Sequence, residues 1–123
     1  MKSILIIGLG RFGRHLCRKF MSLKNEVMIV DRDEAAVTAL ADEATSAQIA
    51  DCTDENALRA LGVKNFDLCF VCIGSDFASS LLITSMLKDM GAARVVAKAS
   101  QDIHAKLLLR NGADDVVYPE RDS

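Results

Sequence analysis

The 123-residue sequence predicts an α/β fold: a doubly wound parallel sheet of six strands with helices on both faces. Three observations carry this. Short apolar runs without polar alternation, such as SILIIG and DLCFVCIG, have the length and composition of strands buried on both sides. Between them lie stretches whose apolar residues recur every three or four positions, the mark of helices with one buried face. The two patterns alternate along the whole chain, and such alternation closes most simply as right-handed βαβ units in one parallel sheet.

Taken in order, KSILIIG reads as the first strand. RFGRHLCRKFMSL follows as a helix burying Phe12, Leu16, Phe20 and Leu23. EVMIVD is the second strand, and DEAAVTALADE a helix with Asp33 as its N-cap. SAQIAD is a weaker third strand. TDENALRALG is a helix expected to be capped by Thr53 and closed by Gly62. FDLCFVCIG is the fourth strand, and DFASSLLITSMLKDMG the longest helix, ending at Gly91. ARVVAKA, QDIHAKLLLRNG and ADDVVYP complete the alternation as strand, helix and strand before the one proline, Pro119.

Composition narrows the function classes. Half of the residues are apolar, enough for one core and against disorder. Fifteen basic against seventeen acidic residues leave a formal charge of -2, which disfavours a nucleic-acid partner. No apolar stretch reaches the roughly 18 residues of a membrane span, so no direct membrane insertion is expected. Ile4–Ile7 is too short for a signal peptide, and the expected location is cytoplasmic. Cys69 and Cys72 are spaced C-x-x-C, but on a strand that odd separation points them to opposite faces. With no second pair at zinc spacing, the four cysteines are expected to be buried and reduced.

The chemistry concentrates in GLGRFG. Gly8, Gly10 and Gly13 follow a buried strand and open a helix, as a dinucleotide-binding fingerprint requires. Gly8 permits the turn, Gly10 lets a phosphate approach the backbone, and Gly13 lets helix and sheet pack closely. The helix N-terminus offers N–H groups to the phosphate. Strand two ends in Asp31, placed for ribose hydroxyls and against NADP, with Arg32 beside it leaving a 2′-phosphate slightly open. This is the Rossmann arrangement, and it predicts strand order 3-2-1-4-5-6.

Further candidates surround the loop. Asp51 and Cys52 end strand three, where an adenine ring would rest. Gly74 and Ser75 follow strand four, Ser75 either meeting the ligand or capping the next helix. Arg11, between the second and third glycines, suits a terminal phosphate of ADP or ATP; its alternative is a solvated arginine. Phe12 is counted with the loop. Lys98, ending an apolar strand, either faces the ligand or is buried without contact to it. His15 and His104 have no catalytic partner in sequence, and no nucleophile motif is visible. The sequence holds a nucleotide and lacks a reactor.

With these residues in view, the chain resembles the N-terminal RCK domain (regulator of K⁺ conductance, TrkA-N type) of Ktr and Trk potassium-uptake regulators. The carriers are GLGRFG, VDRDE, ADCTDENALRALGV, FDLCFVCIG, VVAKA and HAKLLLRNGADDVVYPERD. The resemblance implies a non-enzymatic gating subunit that binds ATP/ADP or NAD(H) and joins a membrane-embedded potassium transporter, its own copies forming dimers and octameric rings. It implies nucleotide contacts at Gly8, Gly10, Gly13, Asp31, Asp51 and Lys98. Arg11 would reach a terminal phosphate, that of a neighbouring subunit included. Glu120 would sit near that phosphate, with a divalent cation bridging the two. Ala50 and Cys52 depart from the family's usual glycine and alanine. Residues 1–123 read as one nucleotide-binding domain, and the resemblance implies a C-terminal RCK domain in the full gene.

Assembly is expected through the helices DFASSLLITSMLKDMG and HAKLLLRNG, with Glu120 and Arg121 near a subunit boundary. Leu107, Leu108 and Leu109 span about 200° of a helix, so one must point away from the sheet. The competing reading is the cofactor-binding half of an NAD-dependent oxidoreductase. A third is the tail of a cation/proton antiporter, against which Met1 directly before the first strand argues.

Overall fold

A computed structural model describes residues 1–74 and 76–122, the side chains of 121 and 122 excepted. The strands are β1 (Ser3–Ile7), β2 (Glu26–Asp31), β3 (Ser46–Ile49), β4 (Leu68–Val71), β5 (Val95–Lys98) and β6 (Asp115–Val117). The α-helices are α1 (Arg11–Ser22), α2 (Glu34–Leu40), α3 (Glu55–Arg59), α4 (Phe77–Asp89), α5 (Asp102–Arg110) and α6 (Pro119–Asp122). Single 3₁₀ turns follow at Ala41–Glu43 and Val63–Asn65.

All six strands pair in parallel in the order β3-β2-β1-β4-β5-β6, as the alternation predicts. From β1 the chain winds outward through β2 to β3, then crosses back to β4 and winds the other way. Because each crossover is right-handed, reversing the direction of winding puts the later helices on the opposite face. Two cores result. One gathers Ile4, Ile6, Cys17, Val37 and Leu40 beneath α1 and α2. The other gathers Leu5, Ile7, Leu58, Ile83, Leu87 and Leu108 beneath α3, α4 and α5. Each wholly buried leucine or isoleucine contributes about 1.5–3 kcal/mol by leaving water. Cys69 and Cys72 fall in different cores, as their odd spacing requires, and all four cysteines are buried and free.

Local signals mostly fold as read. Asp33 caps α2 by accepting from the Ala35 N–H. Two readings, the Thr53 cap and the buried Leu23, need correction. The N-cap of α3 is Asp54, which accepts from the Asn56 N–H, because the Thr53 hydroxyl is spent on Asp51 at 2.6 Å. The N-cap of α4 is Asp76, which accepts from the Ser79 N–H, and the capping reading of Ser75 lies outside the described residues. Leu23 is an exposed C-cap residue outside the core, since α1 stops one residue earlier.

Candidate functional site

β1 and β4 are neighbours at the centre of the sheet, but their chains leave for opposite faces. The two departing loops part at the strands' carboxyl ends and open a crevice there. It is a cleft of about 390 Å³, within the range of small-molecule sites.

The three glycines of the β1–α1 loop are glycine for different reasons. Gly8 has φ +100°, and a Cβ on it would lie 2.9 Å from the Cys72 carbonyl. A Cβ on Gly13 would lie 2.0 Å from the Gly8 carbonyl oxygen, so α1 packs directly on the loop. Around Gly10 a Cβ would meet nothing within 4 Å, so nothing in the protein itself excludes a side chain there. Gly10 lines the cleft and is the N-cap of α1, with no side-chain cap and no acid in the helix's first turn. Such an end favours an anion.

Asp31 ties this loop to β2. Its Oδ2 accepts from the Leu9 N–H at 2.8 Å and its Oδ1 from the Asp33 N–H at 2.9 Å. Each oxygen keeps a lone pair for an incoming hydroxyl. Just past the end of β3, Asp51 Oδ1 accepts from both the hydroxyl and the N–H of Thr53. The Thr53 hydroxyl bond, then its N–H, hold the Asp51 carboxyl below its ordinary value. Asp76 accepts from the Ser79 hydroxyl at 2.7 Å and from its N–H, and these bonds lower its carboxyl likewise. Burial pushes the thiols of Cys52 and Cys72 up to about 12, which keeps both protonated and unreactive. The Lys98 ammonium lies over Gly74, where a Cβ would approach it to 2.9 Å.

Of the residues singled out from sequence, Gly8, Gly10, Asp31, Arg32, Asp51, Cys52, Gly74 and Lys98 line the cleft. Gly13 sits behind the loop. Phe12 is half-buried against the core beneath α1, and Arg11 is exposed at the helix start; neither lines the cleft. Glu120 is exposed on α6 away from the lining, and Ser75 lies outside the described residues. Among the described residues no group of three or more His, Cys, Asp or Glu could hold a metal ion. Sequence reading missed Asp76, Ser79 and Thr53. The pattern D-x-x-S at Asp76 was available as a capping signal. His104, which has no partner in sequence, stacks on Phe77 at 3.8 Å and 9° between ring planes.

The TrkA-N domain family matches residues 4–119. The chain is 44% identical over 121 residues to Ktr system potassium uptake protein C of Bacillus subtilis (strain 168), covering 98% of this chain and 55% of that protein. It is 40% identical over the same length to Ktr system potassium uptake protein A of that organism, covering 98% and 54%. The chain thus spans about half the length of these relatives. Among solved structures it is similar to the NAD(P)-binding domain of an exopolyphosphatase-related protein from Archaeoglobus fulgidus. There the TM-score is 0.87 and the identity 25%, with 99% of this chain and 91% of that one covered. The GsuK channel bound to NAD shares the fold, with TM-score 0.83 and 20% identity over 94% of this chain and 21% of that one. No described helix is long and apolar enough to cross a membrane.

Proposed function

The chain belongs to the TrkA-N domain family, and on that premise we propose that it is the nucleotide-sensing domain of a regulatory subunit of potassium uptake. The observation that carries the nucleotide reading is the β1–α1 loop. It leaves open space at Gly10, an uncapped helix end, and a neighbouring carboxylate, Asp31, with lone pairs for ribose hydroxyls. ATP or ADP is the first-choice ligand and NAD(H) the second, because Lys98 lines the cleft and Arg11 stands exposed near its mouth. Arg11, outside the lining of its own cleft, serves the nucleotide of a neighbouring copy. A divalent cation near Glu120 would take the nucleotide's phosphate oxygens as ligands, since no group of three or more His, Cys, Asp or Glu among the described residues could hold it. The subunit is cytoplasmic, meets its membrane-embedded transporter through the assembled ring, and continues into a C-terminal RCK domain.

The role is one of sensing without turnover. No histidine lines the cleft among the described residues, and its two cysteines are held protonated. The Asp51 and Asp76 carboxylates of the cleft are engaged by Thr53 and Ser79, which disfavours the oxidoreductase reading.

Calorimetry with ATP, ADP, NADH and NAD tests the proposal. At least one nucleotide should bind, and Asp31→Ala should weaken every adenine nucleotide by a similar factor. Arg11→Ala should weaken ATP more than ADP, by roughly the 1.5–3 kcal/mol of a charge-assisted bond. No binding by any of the four, or sustained oxidation of NADH with a carbonyl substrate, overturns the reading.

A further inference from the structure

Charge is unevenly distributed along the chain. Six of the fifteen lysines and arginines fall in residues 1–25, and none of the seventeen acids does. Such asymmetry points to an anionic partner for the basic part. Four of the six stand on α1, whose outer face exposes Arg11, Arg14, His15, Arg18, Lys19 and Ser22. Phe12, Leu16, Cys17 and Phe20 turn the other way, into the core. From Arg14 to Lys19 the basic face covers about 140° of the helix.

This arrangement works against the helix. Arg14 and Arg18 are like charges four residues apart and repel each other. Arg11 stands in the first turn, where the macrodipole disfavours a cation. Glu43 pairs with Arg18 at 2.9 Å, but Arg11, Arg14 and Lys19 have no ion pair among the described residues.

The turn that ends α1 departs from local preference as well. The Lys24 N–H donates to the Met21 carbonyl at 3.0 Å and the Asn25 N–H to that of Phe20 at 3.1 Å. That closure favours glycine at its left-handed position. Here the position is Lys24, at φ +69°, and the other described residues with positive φ are all glycine. Beside it Leu23 is 58% exposed, and Met1 is 90% exposed. The Lys2 N–H donates to Asn25 Oδ1 at 3.0 Å, which brings Met1 and Lys2 to the same turn. One end of the basic face thus carries two exposed apolar side chains and two lysines.

We propose that the outer face of α1 and this turn dock on anionic lipid headgroups, an inference that rests on reading the chain as a subunit beneath a membrane transporter. The face is the convex outside of a helix and lines no part of the cleft, so it suits a broad layer of negative charge. Cytoplasmic loops of membrane proteins carry an excess of lysine and arginine and would repel it, whereas the leaflet around them is anionic. Leu23 and Met1 enter the headgroup layer beside Lys2 and Lys24, the pairing of apolar and basic groups that interfacial binding uses. The core face of α1 stays where it is, so the docking is peripheral. α1 also lies on the sheet face opposite α4 and α5, and docking leaves those two helices uncovered.

The test is co-sedimentation of the 123-residue chain with vesicles of phosphatidylglycerol and phosphatidylcholine, against vesicles of phosphatidylcholine alone. The chain should bind the first and not the second, and added salt should release it by screening. Arg14→Glu with Lys24→Gly should weaken this binding at least tenfold. The same pair should melt at or above the parent, because it relieves like-charge repulsion and left-handed strain. If it melts lower, Leu23→Ser, at an exposed position outside the core, decides: severalfold weaker binding sustains the docking, and parental binding ends it. Binding to neither vesicle, equal binding to both, or a stable double variant that binds like the parent overturns the proposal. Tighter binding to duplex DNA or to polyglutamate than to the charged vesicles assigns the face to nucleic acid or to an acidic protein and overturns it too. Calorimetry with the four nucleotides keeps the two readings apart. Nucleotide binding without vesicle binding ends the docking and leaves the sensing role. Vesicle binding without nucleotide binding sustains the docking and ends that role.

Discussion

At the residue scale, the glycine loop separates fold from binding within six positions. Gly13 is required by the Gly8 carbonyl oxygen, a backbone atom that cannot swing aside. Gly10 faces open space. Gly13→Ala should therefore destabilise the chain by at least the roughly 1–3 kcal/mol of core overpacking, seen as a lowered midpoint in urea. Gly10→Ala replaces a favoured N-cap residue by a disfavoured one without a steric clash and should cost about 1 kcal/mol. Its effect should fall on nucleotide affinity, at least tenfold by calorimetry. Equal stability losses in the two variants would mean that Gly10 is held by the fold after all.

At the element scale, short hydrogen-bonded acids hold the helix starts and turns. Asp76 caps α4, Asp51 closes the turn before α3, and Asp114 receives both the Lys88 ammonium and the Val95 N–H. Burial raises the Asp114 carboxyl, but the Lys88 and Val95 bonds outweigh it and the net shift is downward. The Asp51 and Asp76 carboxyls are lowered as well, chiefly by the hydroxyls of Thr53 and Ser79. A carboxyl lowered on folding binds fewer protons in the native state than in the unfolded one. These three groups thus stabilise fully above the unfolded carboxylate range, and that stability is lost as pH falls through about 4 and below. Thermal melts should show a midpoint steady from neutral pH to about 5 and falling steeply towards pH 2. Asp76→Ala should melt lower than the parent at pH 7, with the gap narrowing at pH 2–3. A constant gap across that range would assign the loss to packing and not to the charged cap.

At the scale of the whole molecule, α4 and α5 share one face of the sheet and leave apolar side chains outside it. Leu108 is wholly buried, while Leu109 beside it is 50% exposed, as three successive helical leucines require. Leu82 on α4 and Ile103 on α5 are similarly exposed. Leu108 belongs to the core, so a charge there would unfold the chain without reporting on assembly. We propose self-association through this face, as exposed apolar groups on adjoining helices favour. Light scattering at micromolar concentration should give at least a dimer, and Leu82→Asp with Leu109→Asp should yield a monomer with an unchanged melting curve. A monomeric parent with nucleotide present, or a dimer surviving both substitutions, removes the interface from these helices.

The order of strands and helices was legible in the sequence because it is written in contiguous residues. Unalternating apolar runs specify buried strands, three-and-four spacing specifies one-faced helices, and right-handed crossover then leaves few topologies open. The glycine loop and Asp31 were legible for the same reason: a strand, a turn and a helix start adjoin in the chain. Caps were less so, because Thr53 and Asp54, or Ser75 and Asp76, are alternative capping neighbours. The choice fell to Asp54 once the Thr53 hydroxyl had bonded to Asp51. What only tertiary structure decided lies between residues remote in sequence: the Asp31 carboxylate on the Leu9 amide, the Lys98 ammonium over Gly74, His104 stacked on Phe77, and Ser80 left without a partner beside them. No local periodicity encodes such pairs. They exist because hydrogen bonding and packing bring the ends of separate strands to one edge of the sheet, where each side chain meets whatever its neighbour's loop presents.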